Sequence, residues 1–230
     1  MRNIWKLVKL DAFTIKPYIG YMTVVIQFGI GLTFGFIFGQ PMIAIMAAAS
    51  CGAMYISNIF AISDQSGINI LHSVLSINRR DVVLGRYTFG FLVNTLIALI
   101  SLIFFFLISI IADMAMGLPS LIATQGTVNA WQFSLLATVT VITFVQYSII
   151  AAVQMPVYFK NGYLKANRLS YLPYTTYITI LIVSFYASYN GWGMILDAPV
   201  LLCTILLSLC IVIYIGSYIL SCRFYRKRDL

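Results

Sequence analysis

The chain has 230 residues, of which 61% are hydrophobic and only 9% charged, against roughly 25% charged in a typical soluble domain. So few charges cannot cover a water-facing surface, which excludes a soluble globular fold and indicates an integral membrane protein. A net charge of +8 does not mark a nucleic-acid binder, because the basic residues fall in short groups between long apolar runs, and four cysteines are too few for a disulfide scaffold.

Residues 1–16 predict an interfacial lead-in helix, with Ile4, Leu7 and Val8 on one face and Arg2, Lys6 and Lys9 on another. The plainer alternative is a charged stub that only enforces topology. Six stretches free of Asp, Glu, Lys, Arg and His follow, at approximately 18–38, 41–62, 87–112, 131–155, 171–189 and 200–220. Each is near the about 20 residues a helix needs to cross the hydrocarbon. The runs are continuous rather than alternating, which argues against a β-barrel, and the first is too long for the apolar part of a secretory signal.

The basic groups precede the first stretch, separate the second from the third and the fourth from the fifth, and follow the sixth. The connections at 39–40, 113–130 and 190–199 carry neither Lys nor Arg. Charge asymmetry of this kind places both termini in the cytoplasm. The expected fold is therefore all-α: residues 1–230 as a single membrane domain with six transmembrane helices.

The spans offer small and neutral polar residues. Gly31, Gly35 and Gly39 repeat at i+4 in the first, and Ala44, Ala48 and Gly52 in the second. Such ridges let helices approach closely, within one chain or across a dimer seam. Gln27, Asn94, Gln146, Gln154, Thr179 and Ser184 lie in apolar surroundings; they would either line a pathway for an amphipathic solute or hydrogen-bond between helices. No span carries the buried charge that ion-coupled transporters use. No metal-ligand cluster is visible, and the two Cys in the sixth span, Cys203 and Cys210, read as apolar fillers. The chain has no Gly-Lys-Ser/Thr of a phosphate-binding loop, so no cofactor is expected on it.

The connection 63–86 is the most informative. Asp64, Gln65 and Gly67 form a turn, after which Ile68, Leu71 and Leu75 share one helical face, followed by Arg79, Arg80, Asp81 and Arg86. The pattern suits a short cytoplasmic helix docking on a soluble partner; a solvated, topology-setting loop is the other reading. The second cytoplasmic connection supplies Lys160, Gly162, Lys165 and Arg168.

The run Leu75 to Tyr87, LSINRRDVVLGRY, resembles the signature after the second span of ABC-2-type transporter permeases, departing at Ser76, where many members have Pro. The run Pro156 to Ala166, PVYFKNGYLKA, is similar to a Pro-x-Tyr-Phe-Lys-x-Gly-x-x-Lys-Ala run after the fourth span of the same subfamily. The likeness covers the whole chain and is nearest to exporters of phenol-soluble modulins and other amphipathic peptides or antimicrobials. It implies a non-enzymatic permease subunit in a bacterial cytoplasmic membrane, paired with a second copy or a homologous permease. Two separate ATPase subunits, holding ATP and Mg, would dock on the cytoplasmic loops. The competing class is a membrane anchor or scaffold that recruits a soluble partner without transport.

Overall fold

A computed structural model describes residues 2–16, 29, 54–66, 78–116, 130–176, 178–179 and 199–227. Among these residues the chain is helical apart from short turns. Five helices organise it: α1 (Arg2–Ile15), α2 (residues 54–65), α3 (Arg79–Met116), α4 (Ala130–Asn161) and α5 (Pro199–Lys227). A helical turn, Tyr163–Ala166, and a 3-10 turn, Asn167–Tyr171, follow α4.

The helix ends follow local chemistry. Asn78 starts α3: its side-chain oxygen accepts from Arg80 N at 3.2 Å and its carbonyl from Asp81 N at 2.9 Å, while Asp81 sits in the first turn, where the helix dipole favours a negative charge. α2 closes at Ser66, whose amide and hydroxyl both donate to the Ile62 carbonyl. α5 begins with Pro199, which needs no hydrogen-bonded amide at that position. α4 ends at Gly162, whose φ of 75° is strained for any residue carrying a Cβ.

Three of these helices are long and apolar enough to cross a membrane, with candidate spans Arg79–Ile100, Thr140–Asn161 and Thr204–Lys227. They correspond to the expected third, fourth and sixth stretches. The first stretch, apart from Gly29, and much of the second and fifth lie outside the described residues. With its 38 residues, α3 is about 57 Å long at about 1.5 Å per residue, nearly twice the hydrocarbon thickness of about 30 Å, so its ends project beyond the lipid tails.

Helix boundaries differ from expectation: α2 runs on through Asp64 and Gln65, which were expected in a turn, and α5 runs past residue 220 to Lys227 because its last turns tolerate charge outside the lipid. Arg79, Arg80, Asp81 and Arg86 are not in a loop; they form the first turns of α3, continuous with the span. The fourth stretch does not end at Met155, because Pro156 lies inside α4. Proline removes the amide that would bond the carbonyl four residues earlier. That carbonyl, of Ala152, instead accepts a 2.6 Å hydrogen bond from Ser217 Oγ on α5. A neighbouring helix thus makes good the lost bond, and α4 runs on for another turn and a half.

α4 and α5 form the most extensive helix pair, α3 packs against both, and α1 packs on α3. The principal core gathers Ile56 and Phe60 from α2, Val82, Val83 and Tyr87 from α3, Tyr147, Ile150, Ala151, Met155, Tyr158 and Phe159 from α4, Ala166, and Tyr225 from α5. A second cluster joins Val8 and Ile15 of α1 to Ile59, Ile62 and Phe89. α1 passes close to α3 at Gly85, where a Cβ would stand 3.1 Å from Leu7 Cβ.

Candidate functional site

Antiparallel packing brings the start of α3 and the ends of α2, α4 and α5 together, and the basic residues of the described chain gather at this end. The two runs singled out in the sequence supply most of its contacts.

Arg86 is at the centre. It is only 4% exposed. Its Nε is 3.2 Å from Asp11 Oδ2 on α1, its Nη2 donates to Ser63 Oγ of α2 at 2.5 Å, and its guanidinium carbon lies 4.9 Å from the centre of the Phe60 ring. One side chain of α3 therefore holds both α1 and α2. Burial pushes the Asp11 carboxyl above its ordinary value, against the downward pull of the Arg86 charge. Arg86 Nη1 is buried without a hydrogen-bond partner among the described residues, so the cluster leaves little slack if its one carboxylate is lost.

Asp64 joins the two connections. The helical turn after Gly162 has no capping side chain of its own. The Asp64 carboxylate supplies the cap from α2 by accepting the Tyr163 amide, a partner 99 residues away. Arg79 plays the matching part for α5: its Nη1 donates to the Tyr225 and Arg226 carbonyls at 3.1 and 3.0 Å, placing positive charge where the helix dipole is negative. Lys160 lies over the Phe224 ring at 5.1 Å. Gln65, Arg80, Lys165 and Arg168 are exposed around this core of contacts, and Asp81 is half-buried.

Deeper in the bundle, hydroxyl groups take over. Tyr87 OH meets Ser217 Oγ at 2.6 Å and Ser221 Oγ at 2.8 Å, and Tyr214 OH donates to the Tyr87 carbonyl. Ser57 pairs with Tyr158 OH at 3.0 Å. Asn94 reaches Ser148 Oγ at 3.3 Å, and Gln154 Nε2 donates to Leu169 O at 2.7 Å. Both amides are buried; Asn94 bonds across to α4 and Gln154 to the 3-10 turn, with Gln154 Oε1 lacking a hydrogen-bond partner among the described residues. Gln146 is half-buried, whereas Thr179 is exposed and donates to the Thr175 carbonyl.

Among the expected site residues, Gly67, Ile68, Leu71, Leu75, Gln27, Gly31, Gly35, Gly39, Ala44, Ala48, Gly52 and Ser184 lie outside the described residues. The structure also adds residues that sequence reasoning missed: Asp11, Phe60, Ser63, Tyr87, Ser217 and Ser221. For Asp11 a signal was present, since it shares the Ile4, Leu7 and Ile15 face of α1, an acid on an apolar stripe that asks for a buried cation. Ser217 gave no such sign.

Contacts through Arg86, Asp64 and Arg79 connect α1, α2, α3, α5 and the turn after α4. A family model described as ABC-2 family transporter protein matches residues 6–226. No curated protein and no solved structure matches the chain.

Proposed function

The chain belongs to the ABC-2 transporter family, the multi-pass membrane permeases of ATP-binding-cassette transporters, and from that premise we propose that it forms the translocation pathway of an exporter for amphipathic peptides or related apolar solutes. Energy would come from a separate ATPase carrying ATP and Mg, with a second permease, identical or homologous, completing the pathway. The basic end would face the cytoplasm, by the same charge asymmetry that orients other multi-pass proteins, in a bacterial cytoplasmic membrane. The ATPase would dock on residues 67–77 through Ile68, Leu71 and Leu75, a helix laid in a groove.

The observation that carries this reading is the bracing on either side of that stretch. Asp64 just before it caps the turn at Tyr163, and Arg79 just after it caps the end of α5. A docked ATPase that moved residues 67–77 would pull on helices from both halves of the chain together. A protein that only anchored a soluble partner would have no use for this linkage.

The test is ATPase retention on a tagged permease, with peptide-stimulated hydrolysis measured on the same preparation. Leu71→Asp should insert normally and lose the ATPase. Asp64→Ala combined with Arg79→Ala, which removes the acceptor for the Tyr163 amide and the donor to the α5 carbonyls, should keep the ATPase yet lose stimulation, because docking is intact and transmission is not. If the tie variant stimulates like the parent, the bracing has no part in coupling. If Leu71→Asp retains both, the docking assignment fails.

A further inference from the structure

We propose that the outward face of α1 is a binding surface for the anionic headgroups of phospholipids, and that this contact keeps α1 seated against α3. The proposal rests on how the structure divides the charges of α1, and it stands or falls independently of what the permease exports.

α1 contains one acid, Asp11, and the fold turns it inward to Arg86 together with Leu7, Val8 and Ile15. The charges left outside are all positive: Lys6 and Lys9, with Lys16 just beyond the helix, are exposed. Between them stand apolar side chains that a water-facing helix would not display. Phe13 is 71% exposed, Trp5 56% and Leu10 41%. A tryptophan, a phenylalanine and a leucine interleaved with lysines match the boundary between headgroups and acyl chains, where rings and aliphatic groups insert and ammonium groups meet phosphate. Position agrees. Leu7 packs close to Gly85 and Asp11 pairs with Arg86, so α1 lies beside the charged first turns of α3 rather than beside its apolar middle.

The charge division makes the surface selective. With Asp11 neutralised internally, nothing on the outer face offsets the three lysines, and a zwitterionic bilayer offers them little. Each lysine close to an anionic surface is worth about fivefold in binding, so the three together are worth about a hundredfold. Because Leu7, Asp11 and Lys9 belong to the same four-turn helix, lifting its outer face off the lipid also loads the Asp11–Arg86 contact.

The experiment uses the full chain with Trp5 as sole tryptophan (Trp131→Phe, Trp192→Phe), reconstituted in vesicles of phosphatidylcholine alone or mixed with phosphatidylglycerol. The readout is quenching of Trp5 by acrylamide, a neutral probe. Trp5 should be several-fold less quenched in the phosphatidylglycerol vesicles, and high salt should remove the difference. Lys6→Gln, Lys9→Gln and Lys16→Gln together should leave it open to quencher in both lipids, while the corresponding three Lys→Arg changes should behave like the parent. Equal protection in both lipids, unaffected by the lysines, would mean that protein covers the face. Equal exposure in both would mean that the face meets water. Either result overturns the proposal.

Discussion

Replacing Asp11 should damage this protein more than replacing its partner Arg86, although each change breaks the same ion pair. Both side chains are buried, at 8% and 4% exposure, with 3.2 Å between Arg86 Nε and Asp11 Oδ2. Asp11→Asn leaves a guanidinium beside Phe60 and Ser63, and one of its nitrogens already lacks a partner among the described residues. A guanidinium does not give up its proton in a protein, so the uncompensated buried charge costs about 3–5 kcal/mol. Arg86→Met leaves a carboxyl that burial already favours in its neutral form. It takes up a proton, and the loss is that of an imperfectly bonded polar group, about 1–3 kcal/mol. Asp11→Leu combined with Arg86→Met replaces the pair with apolar groups and should fall within about 1 kcal/mol of the parent.

Denaturant titration in detergent measures these costs, and amide exchange along α1 shows whether helix docking is what is lost. The pH dependence has a fixed sign. Asp11 is raised above its ordinary 3.8, so between 3.8 and the raised value the folded chain holds a proton there that the unfolded chain has released. Its contribution is complete below about 3.8 and falls as pH rises through the raised value. Asp11→Asn should remove that slope, and Arg86→Met, lacking the downward pull of the cation, should move it to higher pH. Equal costs for the two single changes, adding without interaction in the double, would refute the reasoning.

Ser217→Ala orphans the Ala152 carbonyl beneath Pro156 and should cost about 1–3 kcal/mol; adding Pro156→Ala restores a backbone donor and should recover most of it, both read by thermal unfolding in detergent. Gly162→Ala places a Cβ at φ 75° and should destabilise by roughly 1 kcal/mol, with Gly162→Asn milder. Arg79→Gln removes the charge that caps α5, worth about 0.3–1 kcal/mol; faster amide exchange confined to the last turn of α5 is the expected sign.

The sequence alone was sufficient for what depends on local composition. Membrane class, the apolar cores of the helices now seen as α3, α4 and α5, the two faces of α1, and the family resemblance all follow from hydropathy, period and short motifs. These are properties of residues a few positions apart. The ends of the helices were less legible, because hydropathy stops at the first charge while a helix does not. Arg79, Arg80, Asp81 and Arg86 looked like loop for that reason, yet Asn78 caps the helix before them and Arg86 finds a carboxylate across the interface. The fourth stretch was drawn to residue 155, yet α4 runs through Pro156 to Asn161. The Ser217 hydroxyl that compensates is 65 residues from Ala152, on another helix. Asp64 reads as the start of a turn, and only the packing of α2 beside Gly162 makes it the cap of a helix 99 residues on. In each case the residue types were visible and the partner was not. A buried polar group is satisfied by whatever the neighbouring helix presents, and helix packing decides which helix that is.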